Sequence, residues 1–408
     1  MLIYDLIIIG AGSAGLFAAA ASPADWRTLV LEKTAIPGQK LLMTGNGQCN
    51  LTNNEPIKDF LNRYGENGKL LRSVLFGFSN IALMSYFEQC GLPLQIREDG
   101  KVFPASMKSA DVLNTLFIQC KGHGVEFRFE SAVTGIEKSN KYRFKINTND
   151  DSFFANNVLV ATGGESFPET GSDGSFFKCL EQLGLELVPR RPALTPIFVR
   201  DYPYGELSGI SIPDSTLRVT RIGSDKQISV DGSLLLTHKC FSGPAILKAS
   251  RYVSIGDKLT INYLSDCTQD ALRLELLQTA AGDARQIATL LGAITGLPRN
   301  FLEFICRRCK IEAGEKASRL SGRDMGDLAA MLTSDSYEIS GTGGFSDAMV
   351  TAGGVSLDEV DLKTMESKKH PGLYFAGEAL DVDGDTGGYN LQFAFSSAML
   401  CVKMLRMV

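Results

Sequence analysis

The chain has 408 residues, 44% of them hydrophobic and 21% charged, which is the composition of globular material and excludes a disordered or fibrous chain. Its 41 Lys and Arg against 46 Asp and Glu give a net charge of −5, so no global electrostatic case exists for nucleic acid or an anionic membrane, which leaves room for a local basic patch. Nine scattered cysteines offer no disulfide framework, and no apolar run reaches the roughly 20 residues that cross a bilayer, so a cytoplasmic protein of two or three domains is expected.

The opening MLIYDLIIIGAG has neither a basic lead nor a cleavage site, and it reads directly into a strand and glycine turn. Residues 2–9 are an apolar run without alternation, as a parallel strand buried on both faces requires. The turn Gly10-Ala-Gly-Ser-Ala-Gly15 follows, then a helix over 16–21 and a second strand over 28–31 that ends at Glu32. Residues 36–54, rich in Gly, Asn and Thr, are expected to form one long functional loop. Residues 57–90 and 109–121 read as helical, with a strand end and turn in DGKVFPASMK between them. The alternation of VEFRF and YRFKI, followed by NNVLVATGG, predicts a small meander returning to a parallel strand. From about Pro189 the texture becomes short strands (PALTPIFV, STLRVTRI, KQISVDGSLLLT, DKLTINYL), and 269–332 turns helical. After Tyr337 strands return, with LYFAG at 373–377 as the last buried strand and 391–405 as a closing helix. A chain that begins and ends in one α/β pattern implies an insertion within a single nucleotide-binding domain.

Glycine is common enough that a GxGxxG by itself means little, but here it follows a strand, opens a helix, and precedes Glu32 by 20 residues from Gly12. Gly10 permits the tight turn, Gly12 lets backbone approach a pyrophosphate, and Gly15 allows close packing of helix on strand. The helix N-terminus offers N–H groups to phosphates, and Glu32 can accept from ribose hydroxyls. Two later segments favour FAD over NAD: VLVATGG at 158–164, and the run 372–398, in which Glu378 ends a strand and is placed for a ribityl contact. Gly387, Gly388 and Tyr389 open another helix whose dipole suits negative charge on a reduced isoalloxazine. A second GxGxxG after a strand is absent, so no dedicated nicotinamide domain is expected.

The stretches IIIGAGSAGL, GQKLLMTGNGQCNLTN, GKVFPASMKS, ATGGESFPETGSDG, LLLTHKCFSGPAIL and TAGGVSLDEVDLKTMESKKHPGLYFAGEALDVDGDTGGYNLQFAFSSA resemble the BaiN-like flavoproteins, bacterial FAD-dependent oxidoreductases, over essentially the whole chain. The resemblance implies an α/β fold: a Rossmann-like FAD-binding domain (1–188 and 337–408) interrupted by a β-barrel-like domain (189–266) and a small helical domain (267–336). It implies cofactor contacts from Gly10, Gly12, Ser13, Ala14 and Gly15 in the first turn, and from Glu32 and Lys33 after the second strand. The loop adds Lys40, Leu41, Gly45 and Asn50, and the middle of the chain Val133, Ala161, Thr162 and Gly163. The C-terminal stretch adds Gly377, Glu378, Asp385, Gly388, Tyr389, Asn390 and Leu391. Activities in the family are diverse: reduction of carbon–carbon double bonds conjugated to a carbonyl, oxidation of a small amino ketone, and dihydrouridine formation in ribosomal RNA. This sequence departs from the family's GGGRCN at Asn46 and Gln48, which removes an arginine clamp, and has Cys240 where a glycine is usual.

For proton transfer the candidates are Cys49, in the loop, and His238, ending the strand LLLT; each is also an ordinary buried thiol or a hydrogen-bonded structural imidazole on the bland reading. His123 and His370 read as solvated, and Ser106 and Lys108 either approach the flavin or sit in a surface turn. Asp381, Asp383 and Asp385 read as carboxylates beside the ribityl chain and not as a metal site. Cys306 and Cys309 flank Arg307 and Arg308, which would favour thiolate, though a single CxxC is also plain helical spacing. Residues 299–323 hold seven basic against three acidic residues, a local excess of +4 that either contacts phosphates or forms a solvated face. The expectation is an FAD enzyme using NAD(P)H as a transient reductant on a small molecule with an activated double bond. Structured RNA, a small-amine oxidase and a non-enzymatic flavin sensor are the rivals.

Overall fold

The computed structural model describes residues 2–138, 143–223, 227–265 and 267–407; Tyr142 and Lys226, the first residues of two expected strands, lie outside them. The chain forms two compact units, one of residues 1–193 with 345–408 and one of Leu194–Gly344.

The first unit is built on a parallel sheet. Strand β1 (Ile3–Ile9) pairs in parallel with β2 (Thr28–Leu31) on one side and with Ser152–Val160 on the other. Glu126–Arg128 extends the sheet beyond β2, and Leu373–Phe375 extends it beyond Ser152–Val160, so the two ends of the chain share one sheet. Because the strand order reverses at β1, the carboxyl ends of β1 and Ser152–Val160 diverge and leave a crevice, the usual ligand position in such sheets. Helix α1 (Ser13–Ala21) is buried along nearly its whole length. Its alanine-rich sequence has no polar face to offer water, so it packs between the sheet and the closing helix Tyr389–Leu405.

Residues 36–54 are not one loop. The helix formers Lys40-Leu-Leu-Met43 begin a right-handed turn of α2 (Gln39–Gly47), which breaks at Thr44 (ψ 140°). Gly45 (φ 57°, ψ 35°) and Asn46 (φ 59°, ψ 42°) then turn left-handed, and Cys49 is also at positive φ (60°). Left-handed geometry at a residue with a Cβ is strained and collects at working sites.

The second unit is a closed six-stranded antiparallel barrel, in spatial order Ile197–Val199, Phe241–Ser242, Gln227–Leu236, Ser211–Thr220, Lys258–Asn262 and Asp335–Thr342. Helices Gln269–Ala280, Ile287–Thr295, Arg299–Arg308 and Gly322–Thr333 share its hydrophobic core. The helix Pro244–Ser250 was not expected from the strand-like texture; Pro244 at its first position and Ala-Ile-Leu-Lys-Ala account for it. At the junction of barrel and helices, Asp335 Oδ2 accepts from the hydroxyls of Tyr204 (2.5 Å), Tyr263 (2.8 Å) and Tyr337 (2.5 Å), while Arg308 donates to Tyr204 and Tyr337.

Candidate active site

The crevice at the strand ends is a groove lined, among the described residues, by the first unit. Gly10 leaves β1 at φ +101°, and a Cβ there would stand 2.6 Å from the Ala161 carbonyl oxygen. A Cβ on Gly15 would fall 1.9 Å from the Gly10 oxygen, so helix and turn touch backbone to backbone. Gly12 is different: nothing lies within 4 Å of the position its Cβ would take, although the residue is the N-cap of α1 and makes no side-chain cap. Open space beside an uncapped helix start is what an anionic ligand needs.

Glu32, 9% exposed, faces this groove. Its Oε2 accepts from Ala11 N (2.7 Å), and its Oε1 accepts from Thr34 N and Oγ1 (both 2.9 Å). A carboxylate oxygen takes two hydrogen bonds, so Oε2 keeps one site for a ribose hydroxyl. Glu378, from the other end of the chain, lines the same groove. Its Oε1 accepts from Ser166 Oγ (2.7 Å) and Thr351 N (2.8 Å), and its Oε2 takes Lys40 Nζ (2.7 Å), again leaving one acceptor site on Oε2.

The sequence-derived set divides cleanly. Gly10, Gly12, Ser13, Ala14, Glu32, Lys33, Lys40, Leu41, Val133, Ala161, Thr162, Gly163, Gly377, Glu378, Asn390 and Leu391 line the groove. Gly15, Gly45, Asn50, Asp385, Gly388 and Tyr389 are not among the residues that line it. Gly388 packs against Thr52, where a Cβ would be 2.5 Å from the carbonyl carbon. The ring of Tyr389 turns inward against Phe60 (centroids 5.0 Å apart), and its carbonyl accepts from Tyr64 Oη. Asn390 ties the acidic turn to the helix start by accepting from Gly384 N and donating to Gly384 O. Asp381 accepts from Gly353 N, and burial pushes its carboxyl pKa up.

Several expectations about reactive side chains are corrected. Cys49 is fully buried and does not line the groove, and burial pushes its thiol up to about 12. Cys306 and Cys309 are not activated by their arginines: burial raises them to about 12 and about 11, and Arg308 is turned to Asp335 and the tyrosine cluster. His123 and His370 are only half-exposed; among the described residues the buried Nδ1 of each has no partner, and His370 Nε2 meets the Leu183 carbonyl at 2.8 Å. His238 is exposed beyond the barrel strand Gln227–Leu236, in the second unit. Lys108 and Ser106 are exposed and outside the groove lining. Of the seven basic residues in 299–323, Arg299, Arg307, Arg308, Arg319 and Arg323 pair with Glu303, Glu206, Asp335, Glu315 and Asp327.

Sequence reasoning missed Ser166 and Thr351, which hold Glu378, and Asp173, which takes Lys33 at 2.5 Å. They lie inside the stretches ATGGESFPETGSDG and TAGGV, but partners distant in sequence leave no spacing signal.

The residues present fit FAD. The open position at Gly12, the uncapped α1 start and the spare acceptor site on each glutamate match a pyrophosphate and two polyhydroxyl segments. Among the described residues the buried Asn50 Oδ1 has no partner and is left as an orphan acceptor next to Cys49, which is at positive φ.

Residues 4–404 match the family described as "HI0933-like protein Rossmann domain". The chain is 33% identical to the ribosomal RNA dihydrouridine synthase of Escherichia coli (strain K12), over 98% of each chain. It is 31% identical to the 3-dehydro-bile acid delta(4,6)-reductase of Clostridium scindens, over 96% of this chain and 97% of that one. Among solved structures, the E. coli quinol fumarate reductase FrdA superposes with a TM-score of 0.51 at 16% identity, over 100% of this chain and 70% of that one, a likeness of fold.

Proposed function

Because this chain belongs to the HI0933-like Rossmann-domain family of FAD-dependent oxidoreductases, we propose that it moves hydride from NAD(P)H, by way of FAD, to a carbon–carbon double bond conjugated to a carbonyl. The observation that carries this reading is the meeting of Glu32 and Glu378, 346 residues apart (378 − 32), in one groove beside an uncapped helix. Bound FAD supplies the hydride chemistry. The chain's own residues do the rest. The free N–H groups of Ser13 and Ala14 receive the pyrophosphate, Glu32 takes the adenosine ribose, and Glu378 takes the ribityl chain.

A uracil 5,6 double bond is itself conjugated to a carbonyl, so hydride delivered to the carbon β to that carbonyl, with a proton to the α carbon, would reduce an enone or a uridine alike. Two features of this chain favour a small apolar substrate over RNA. Ile36 (57% exposed) and Met349 (51% exposed) line the groove, and the lysines that line it, Lys33 and Lys40, are both committed to carboxylates. The basic stretch of the helical segment is largely spent on ion pairs as well, although exposed pairs are weak enough to be exchanged for phosphates. The RNA reading rests on the E. coli relative and predicts salt-dependent binding of ribosomal RNA.

Anaerobic mixing with NADH and NADPH, followed by a steroidal enone, tests the proposal. Bleaching of the flavin and its reoxidation by the enone are expected. A flavin that neither nicotinamide reduces sinks the reductase reading, and reoxidation by unmodified ribosomal RNA alone selects the RNA reading.

A further inference from the structure

The groove is oddly charged for its ligand. Its lining holds Glu32, Asp173 and Glu378 against Lys33 and Lys40, a formal charge of −1, yet it is to receive a cofactor whose pyrophosphate is dianionic. Lys33 is spent on Asp173, at a half-exposed position where solvent screens the pair. Lys40 and Glu378 are only 23% and 19% exposed, and their 2.7 Å ion pair is closed into a ring by Ser166, which takes Lys40 Nζ at 2.5 Å and gives its own proton to Glu378 at 2.7 Å. Ser166 is wholly buried and is fixed in turn: Thr351 Oγ1 accepts from the backbone N–H of Glu165 (2.8 Å) and Ser166 (3.0 Å). Gly164 makes the convergence possible, since a Cβ there would lie 2.4 Å from Thr351 Oγ1 and 2.9 Å from Glu378 Oε1. Four separate stretches of chain therefore meet at one carboxylate.

We propose that Lys40 is the counter-charge of Glu378, a positioning residue that serves the cofactor through the glutamate and not by touching it. This rests on the FAD reading. An ionised carboxylate held mostly out of water, in a groove that must accept two phosphate charges, repels its ligand unless a cation is fixed beside it. The ammonium cancels that repulsion, and the Ser166–Thr351 frame holds the carboxylate so that the remaining acceptor site on Oε2 is available to a hydroxyl.

The test is a double-mutant cycle on FAD binding to the stripped full-length protein, read by quenching of FAD fluorescence, with Lys40→Met, Glu378→Gln and the pair. Wild type must first bind FAD; failure at that stage removes the cofactor reading and the counter-charge role together, whereas the variants test the counter-charge role alone. Lys40→Met is expected to weaken FAD binding by about ten- to a hundredfold, the cost of leaving one charge of a partly buried pair alone. Glu378→Gln, which removes the charge but keeps an oxygen that accepts the hydroxyl, is expected to cost about threefold or less, a weakened hydrogen bond and not a lost one. The double variant is expected to bind like Glu378→Gln, because no charge is left to cancel. A double variant as weak as Lys40→Met means that Lys40 grips the cofactor itself and overturns the proposal, as does a Lys40→Met protein with unchanged affinity. If Lys40→Met alone does not fold, thermal unfolding of the pair decides: restored folding supports the counter-charge role, and a pair that stays unfolded contradicts it.

Discussion

Replacing Gly12 with alanine separates the groove's two kinds of glycine. At Gly12 the backbone (φ −78°, ψ −169°) is open to any residue, and the new methyl meets no protein atom within 4 Å. The only cost to the empty fold is a poorer N-cap, about 1 kcal/mol at most, which shifts the melting temperature by about 2–4 °C for a unit of this size. The methyl instead occupies the space through which a pyrophosphate reaches the N–H groups of α1. Losing even one hydrogen bond to a charged group costs about 1.5–3 kcal/mol, so FAD affinity is expected to fall about ten- to 150-fold. Gly15→Ala provides the contrast, because its Cβ would stand 1.9 Å from the Gly10 oxygen and the damage falls on the fold itself. Thermal unfolding of the stripped proteins, together with titration by FAD, measures both effects. A Gly12→Ala protein that binds FAD as wild type does, or that loses as much stability as Gly15→Ala, refutes the placement of the pyrophosphate.

Asp335→Ala leaves three phenols and Arg308 around an empty centre and should cost about 3–5 kcal/mol in urea unfolding, whereas Tyr263→Phe, which removes one donor of three, should cost about 1 kcal/mol. Equal losses would show that the cluster is not organised by the carboxylate. Cys49→Ala should leave nicotinamide-driven flavin reduction intact, since the thiol does not reach the groove. A variant that binds FAD but is no longer reduced would return Cys49 to the chemistry. The Cys49 thiol is raised in the fold to about 12 from an ordinary value of 9.0, so the stability it contributes is full below pH 9.0 and is lost as pH rises toward 12. Alkylation of Cys49 in the native protein at pH 8, at the rate of the half-exposed Cys267, would contradict that environment. Neutralising Arg307 and Lys310 should leave enone reduction unchanged and weaken any ribosomal RNA binding. Arg308 is unsuited to that test, because its loss also disturbs the Asp335 cluster.

The parts of this molecule legible in the sequence are those governed by local rules. The apolar run of β1, the glycine spacing and the strand-end Glu32 each declare a backbone geometry within a few residues, and the groove forms where they place it. The change of texture at Pro189 likewise announces strands, although Leu187–Ala193 pairs with Val350–Val355 in the first unit and the barrel begins at Ile197. What stayed hidden depends on distant partners. The resemblance pointed to Lys40, which lines the groove, but its commitment to Glu378 and Ser166 is set by folding across 338 and 126 residues. The same holds for Arg308, whose neighbours in sequence suggested thiolates or phosphates while Asp335 claims it in space. Tyr389 and Cys49 show a further limit. A motif brings residues close to a site, but only packing decides that the Tyr389 ring turns toward Phe60 and that Cys49 is buried away from the groove lining.

The direct measurement is the binding stoichiometry of FAD to the purified chain, followed by identification of the released cofactor by mass spectrometry. A yellow protein that holds FAD in equimolar amount, releases it on denaturation and recovers it when the stripped protein is titrated is the predicted result. A colourless protein that binds neither added FAD nor its analogues would mean that the groove between Glu32 and Glu378 serves some other ligand.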